Sequence, residues 1–287
     1  MCSMRVSRIC FAVIHAAIFL TLQSFVAHAD AQGMDVARKA FAEGAFLDAA
    51  NLARPLGTSE AAALAARAEL AEGDFRAPRA AKRENFKRAE EDARAAIERD
   101  PKNPEGHLYL ALALGFLGRM DGSLAAHFAG YATEARRNID TALALAPQSA
   151  WAHALSGGWN LEIVRDGGML GESIYGASLE KGCADYARAL ELDPGNTAIA
   201  YQYALQLAAM GASSRRAEAI SVLSSALGSE PGDMLEKLSR RRAQRLKLVL
   251  GTHDEAALKA IIRDQLGAPA AETAGNRRPL GATGSPR

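Results

Sequence analysis

Few side chains in this sequence have the type and spacing to do chemistry, and each has a simpler use. His107 and His153 lie six residues past Pro101 and Pro147, so they hold equivalent places and could face one another as metal ligands. No third ligand stands at a useful spacing, and a histidine at a packing position is satisfied once its ring nitrogen finds a partner. The stretch Arg165-Asp166-Gly167-Gly168-Met169-Leu170-Gly171-Glu172 has three glycines that could cradle a phosphate. It lacks the lysine-serine or lysine-threonine ending of a nucleotide loop, and no strand precedes it, so it reads as a flexible connector. Its Met169, with Ile174 and Tyr175 beyond, could instead plug a neighbouring groove. Cys183 follows Gly182 with no histidine or second cysteine close in sequence to activate it, and reads as a buried packing residue. There is no His-Glu-x-x-His pair and no nucleophile-elbow serine, and paired carboxylates occur only on helix surfaces. The charged runs Lys82-Arg83-Glu84 and Glu90-Glu91-Asp92 belong to solvated helix faces. The expectation is a protein that recognises a partner, with no catalytic centre, cofactor or metal.

What positions such a surface is a periodic array of helices. Apolar residues recur at three- and four-residue spacing in an alanine-rich background, which favours helices over strands. Four turns contain proline: Asp100-Pro101-Lys102-Asn103, Ala146-Pro147-Gln148-Ser149, Asp193-Pro194-Gly195-Asn196 and Glu230-Pro231-Gly232-Asp233. Each closes one helix and opens the next. Counting back 5, 8 and 12 residues from each proline finds Ala96, Ala93, Ala89; Ala142, Ile139, Ala135; Ala189, Tyr186, Gly182; and Ala226, Leu223, Ala219. Small, variable-apolar, small on one helix face lets a neighbouring helix approach closely while the middle residue fills the gap. Counting forward 10 finds Ala111, Gly157 and Ala204, the small residues where each first helix crosses its partner.

These positions resemble the tetratricopeptide repeat (TPR), a 34-residue helix-turn-helix unit. The resemblance implies an all-α, right-handed superhelical solenoid of about five helical pairs over residues 30–231. Gly44-Ala45-Phe46 and Gly73-Asp74-Phe75 look like inter-helix turns of less regular early units. After Pro231 the matching forward positions are Lys237, Arg240 and Arg241, too long and charged for a buried crossing, so 232–266 reads as polar capping helices. The prolines are spaced wider than a plain unit, which places inserts near 74–83, 118–130 and 165–177, at the joint between the two helices of a pair. Three inserts at one joint should crowd together along one edge. The run Gly158-Trp159-Asn160-Leu161-Glu162-Ile163-Val164, the glycine-rich stretch after it, and Tyr186–Pro194 are similar to the regulator-of-microtubule-dynamics branch of the repeat superfamily. That similarity implies a shared architecture and not a shared partner.

In such a solenoid the first helix of each pair lines the concave face. Positions 4, 7 and 11 past each proline are Glu105, Leu108, Leu112; Trp151, Ala154, Gly158; and Ala198, Tyr201, Leu205. The groove is therefore largely apolar, and the candidate partner-binding residues are Leu108, Leu112, Trp151, Leu161, Tyr201 and Leu205, with Met169 and Tyr175 from the third insert. The occupant would be another protein or an extended peptide; the alternative is a small amphipathic ligand in a channel closed by the inserts. The inserts or the C-terminal helices could also fold over the groove and bury it.

The ends of the sequence speak to compartment. Arg5 and Arg8 precede an apolar run from Ile9 to Leu22, and Ala27-His28-Ala29 suits a signal peptidase, so residues 1–29 read as a secretory leader of a periplasmic or secreted protein. The run is too short to span a bilayer, and no stable membrane span is expected after cleavage. Cleavage would leave Cys183 as the one cysteine, with no intrachain disulfide possible, and an essentially neutral chain. With 34 Lys and Arg against 33 Asp and Glu in all 287 residues, nothing points to nucleic acid. Residues 267–287 turn to Gly, Pro, Ala, Thr and Arg without a helical pattern and read as a disordered tail.

Overall fold

The computed structural model describes residues 31–122, 127, 129–211 and 213–267. The expected leader and all of the expected tail but Gly267 lie outside them. The described residues form helices without a strand. In chain order these are α1 (31–43), α2 (Phe46–Ala53), α3 (Ser59–Phe75), α4 (Arg79–Arg99), α5 (Pro104–Asp121) and α6 (Tyr131–Leu145). There follow α7 (Ala150–Tyr175), α8 (Leu179–Leu192), α9 (Thr197–Ala209), α10 (Ser213–Ala226), α11 (Met234–Thr252) and α12 (Glu255–Leu266). Consecutive helices pair as hairpins and the first helices of successive hairpins also touch, which makes a solenoid.

The proline turns work as a stop joined to a start. Two residues past each proline stands the N-cap of the next helix: Asn103, Ser149, Asn196 and Asp233 each accept a bond from a first-turn backbone N–H. Such a cap contributes about 1 kcal/mol. The twelve positions counted back from the prolines are all buried, as are Ala111, Gly157 and Ala204. The reason shows at α7 and α8. A Cβ on Gly157 would lie 2.7 Å from the Tyr186 ring and 2.9 Å from the Gly182 carbonyl oxygen, and one on Gly182 would lie 2.6 Å from Leu161. The small residues are the places where two helices meet.

Two inserts differ from a loop. The first lengthens α3 and α4, leaving only residues 76–78 between them. The third, expected as a glycine-rich connector, is helix: α7 runs to Tyr175 and is interrupted only at Gly168, whose φ of 51° and ψ of −147° reverse the chain at a conformation that a side chain would strain. The inserts are linked along one edge. Arg83 pairs with Asp121, and His127 Nδ1 lies 2.6 Å from the Tyr175 hydroxyl.

The solenoid also closes on itself. Leu235 and Leu238 of α11 pack against the core formed by α1, α2 and α3. Arg242 bonds Asp74 through its carboxylate (2.8 Å) and its carbonyl (2.7 Å), and stacks 3.9 Å over the Phe75 ring. The last hairpin is therefore more than a polar cap: α11 crosses the concave side and joins the first repeat.

Candidate functional site: a concave pocket

The concave face holds a cavity of about 380 Å³. Its floor comes from α3, α5, α7 and α9, whose inward positions are three and four residues apart, and its far wall from Leu235 and Ser239 of α11. Leu108, Leu112, Leu155 and Trp151 give it an apolar lining, and Phe116, stacked on Phe86 at 4.4 Å, closes one end. Trp151, 37 % exposed, is the large hydrophobic side chain of this lining most open to solvent.

Charge enters at the rim. Arg119, over the Phe116 ring at 5.3 Å, donates two bonds to Glu162, at 2.7 and 2.8 Å. Burial alone would raise the Glu162 pKa, but the attraction and bonds of Arg119, aided by Arg165, outweigh it and hold the carboxyl below its ordinary range. Asp74 is occupied by Arg242. Arg67 lies over the Phe41 ring at 4.4 Å, and no carboxylate pairs with it among the described residues. Burial pushes the phenols of Tyr109 and Tyr201 far up, so both are neutral hydrogen-bonding groups at physiological pH. A mostly apolar pocket with polar groups at its edges is built to hold an apolar body.

A family model described as regulator of microtubule dynamics protein 1-3 matches residues 46–248, well over half of the chain and every residue that lines the pocket. The chain belongs to this family. Among relatives, regulator of microtubule dynamics protein 3 of Bos taurus is 29 % identical over 112 residues, which is 37 % of this chain. The match spans only 23 % of the bovine protein's length. A thermophilic TPR protein of Thermus thermophilus superimposes with a TM-score of 0.54 at 21 % identity, over 75 % of this chain and 99 % of that one. That likeness shows the fold: the chain is built as a TPR-like solenoid.

In this family member, eight of the nine positions read as concave line the pocket; Leu205 does not. Leu205 is fully buried in the core of α9, α10 and α11, and Leu161 is fully buried beneath Gly182. Neither can touch a partner, because each sits on the side of its helix that faces a neighbouring helix. Tyr201 lines the pocket but is 2 % exposed, so it is a wall more than a contact. Met169, 87 % exposed, plugs nothing. Tyr175 packs edge-on to Trp159 beside a separate surface groove along α6, which Ile174 and Leu145 also line. Cys183 is half-buried at the edge of the C-terminal core, not sealed within it.

The two histidines are equivalent in register and in one bond, that of Nε2, although His107 Nδ1 also meets Asn138 and the buried His153 Nδ1 has no partner among the described residues. His107 Nε2 lies 3.0 Å from the Pro101 carbonyl oxygen and His153 Nε2 lies 3.0 Å from that of Pro147, so each ring locks its own proline turn. Sequence reasoning missed Phe116, Arg119 and Leu235. The first two continue the same three-to-four-residue step one turn further along α5. Leu235 stands four past Pro231, where the concave rule already pointed.

Proposed function

We propose that this chain is an exported adaptor that holds an apolar segment of another protein in its concave pocket. The observation that carries this is the continuous apolar lining from Leu108 and Leu112 to Trp151, whose indole is the most solvent-open large hydrophobic side chain of that lining. Solenoids of this kind present concave surfaces to extended partners. Export rests on the leader-like first 29 residues, which also argue against the cytoskeletal setting that the family's name suggests. The reading assigns the protein no catalytic step.

A second reading, a carrier of a small amphipathic ligand, is favoured by one feature. By crossing to the first repeat, α11 turns an open trough into a cavity of about 380 Å³, in the range of small-molecule sites. One experiment separates the two: capture with residues 30–287 from the extracytoplasmic fraction of the source cells, followed by native mass spectrometry. A co-purifying protein that is lost on Trp151→Ala with Leu112→Asp supports the adaptor. A small bound mass lost on the same substitutions supports the carrier, and capture indifferent to them removes the pocket from the account.

A further inference from the structure

The register that builds each hairpin exposes a vacant seat in the last one. Position 6 in α5, and positions 10 and 14 in α7, counted from the repeat proline, face the second helix of the same hairpin. His107 Nδ1 meets Asn138 of α6 at 2.8 Å, Gly157 meets Tyr186 and Gly182 of α8, and Leu161 lies under Gly182. In α11 the same positions are Lys237, Arg241 and Arg245, and all three are exposed. Leu248, one turn further on and 66 % exposed, ends the stripe. Among the described residues none of these cations pairs with a carboxylate. Arg240 and Lys247 flank the stripe, Arg240 spending a bond on the Ser229 carbonyl.

The second helix of this hairpin lies elsewhere. The Leu266 carbonyl at the end of α12 accepts a bond from Arg165 of α7 at 3.1 Å, and a Cβ on Gly267 would lie 3.4 Å from the Arg119 carbonyl oxygen. The hairpin is splayed toward the insert edge, leaving the packing seam of α11 uncovered. The chain's own remaining segments have the wrong charge to fill it: 1–30 carries Arg5 and Arg8 against Asp30, and 268–287 carries Arg277, Arg278 and Arg287 against Glu272.

We propose that this seam receives an acidic amphipathic helix from a protein partner, which takes the place of the missing second helix. Three cations four residues apart form a line along one helix face, which a helix with Asp or Glu at matching four-residue spacing complements and an apolar residue beside Leu248 completes. The seam from Lys237 to Leu248 is about 17 Å long, so three turns suffice. This surface lies outside the concave pocket, and its occupancy stands or falls apart from the pocket's.

The test is fluorescence anisotropy with the chain from residue 30 to 287 and a labelled 18-residue helical peptide. The peptide carries glutamates at four-residue spacing and one leucine on a single face. Binding should weaken as salt rises, fall about tenfold or more with Lys237→Glu, Arg241→Glu and Arg245→Glu together, and return when the peptide's glutamates are replaced by lysine. Because all three side chains are exposed, unchanged helicity and melting confirm that the triple variant folds, and the charge-swapped peptide tests the seam even if they shift. Equal binding of a peptide of the same charge with its glutamates scattered around the helix overturns the proposal. So do no binding at low salt, preferential binding of anionic vesicles, and self-association of the chain that the triple reversal abolishes.

Discussion

The hairpin α7–α8 and the hairpin α11–α12 share a register and use it in opposite ways. In the former, Gly157 and Gly182 let two backbones approach until nothing larger than hydrogen fits, and Leu161 and Tyr186 fill the space on either side. In the latter, arginine occupies the position of Gly157, no helix can settle there, and α12 leaves for the insert edge. The concave face of α11 is freed to reach the first repeat through Leu235, Leu238 and Arg242. The repeat is thus a set of independent faces: close packing of the hairpin is specified by small residues at one face, while closure of the superhelix is specified by apolar and cationic residues at another.

The sharpest break of that contrast is Gly157→Val. Its branched side chain meets the Tyr186 ring and a backbone carbonyl, so urea unfolding should show a loss of about 3 kcal/mol, at the upper end for overpacking. A loss below about 1 kcal/mol, the lower end of that range, would mean that α7 and α8 slide apart freely, and the small-residue code would fail. Next is Arg242→Ala, which strips the cation from Asp74 and Phe75 and leaves a mostly buried carboxylate. A cost of about 2 kcal/mol is expected. Acrylamide should also quench Trp151 more readily in a Trp159→Phe background; unaltered quenching would show that α11 does not hold the pocket closed.

A smaller effect belongs to Glu162. Burial pushes its carboxyl up, but Arg119 and Arg165 outweigh that and hold it below the ordinary value of 4.5. Its charge therefore adds stability that is fully present above that value and drains as pH falls through the lower, folded-state range. Glu162→Gln should be less stable at neutral pH, with a shallower decline on acidification; an equally steep decline would assign the acid sensitivity to other groups. Smallest is Arg241→Ala, on the open seam of α11, expected to change stability by no more than about 0.5 kcal/mol. A larger loss would mean that the seam is part of the folded core.

Much of this was legible in the sequence, for a physical reason: small residues and capped proline turns act locally, so counting from a proline finds them. The concave positions followed from the same count, and Leu108, Leu112, Trp151 and Tyr201 all line one pocket. Leu161 and Leu205 misled because an apolar residue on a solenoid helix has several buried faces available, and apolarity alone does not choose among them. The glycine run in α7 misled for the opposite reason, since Gly167 and Gly171 sit in helix and only Gly168 breaks it. The closure by Arg242 and Asp74 depends on the summed superhelical turn of all the hairpins, which no local pattern contains. Even so, positions 4, 7 and 11 past Pro231 are Leu235, Leu238 and Arg242, the concave positions of a hairpin whose other face is basic.

The central claim is that partners enter the concave pocket and not the exposed tip of the third insert. The most direct measurement places a photoreactive phenylalanine analogue at position 151 in one strain of the source organism and at position 169 in another, irradiates both, and identifies the adducts by mass spectrometry. A specific adduct from position 151, absent from 169, is the predicted result. An adduct from 169 with none from 151 would contradict it and move the binding site to the insert edge.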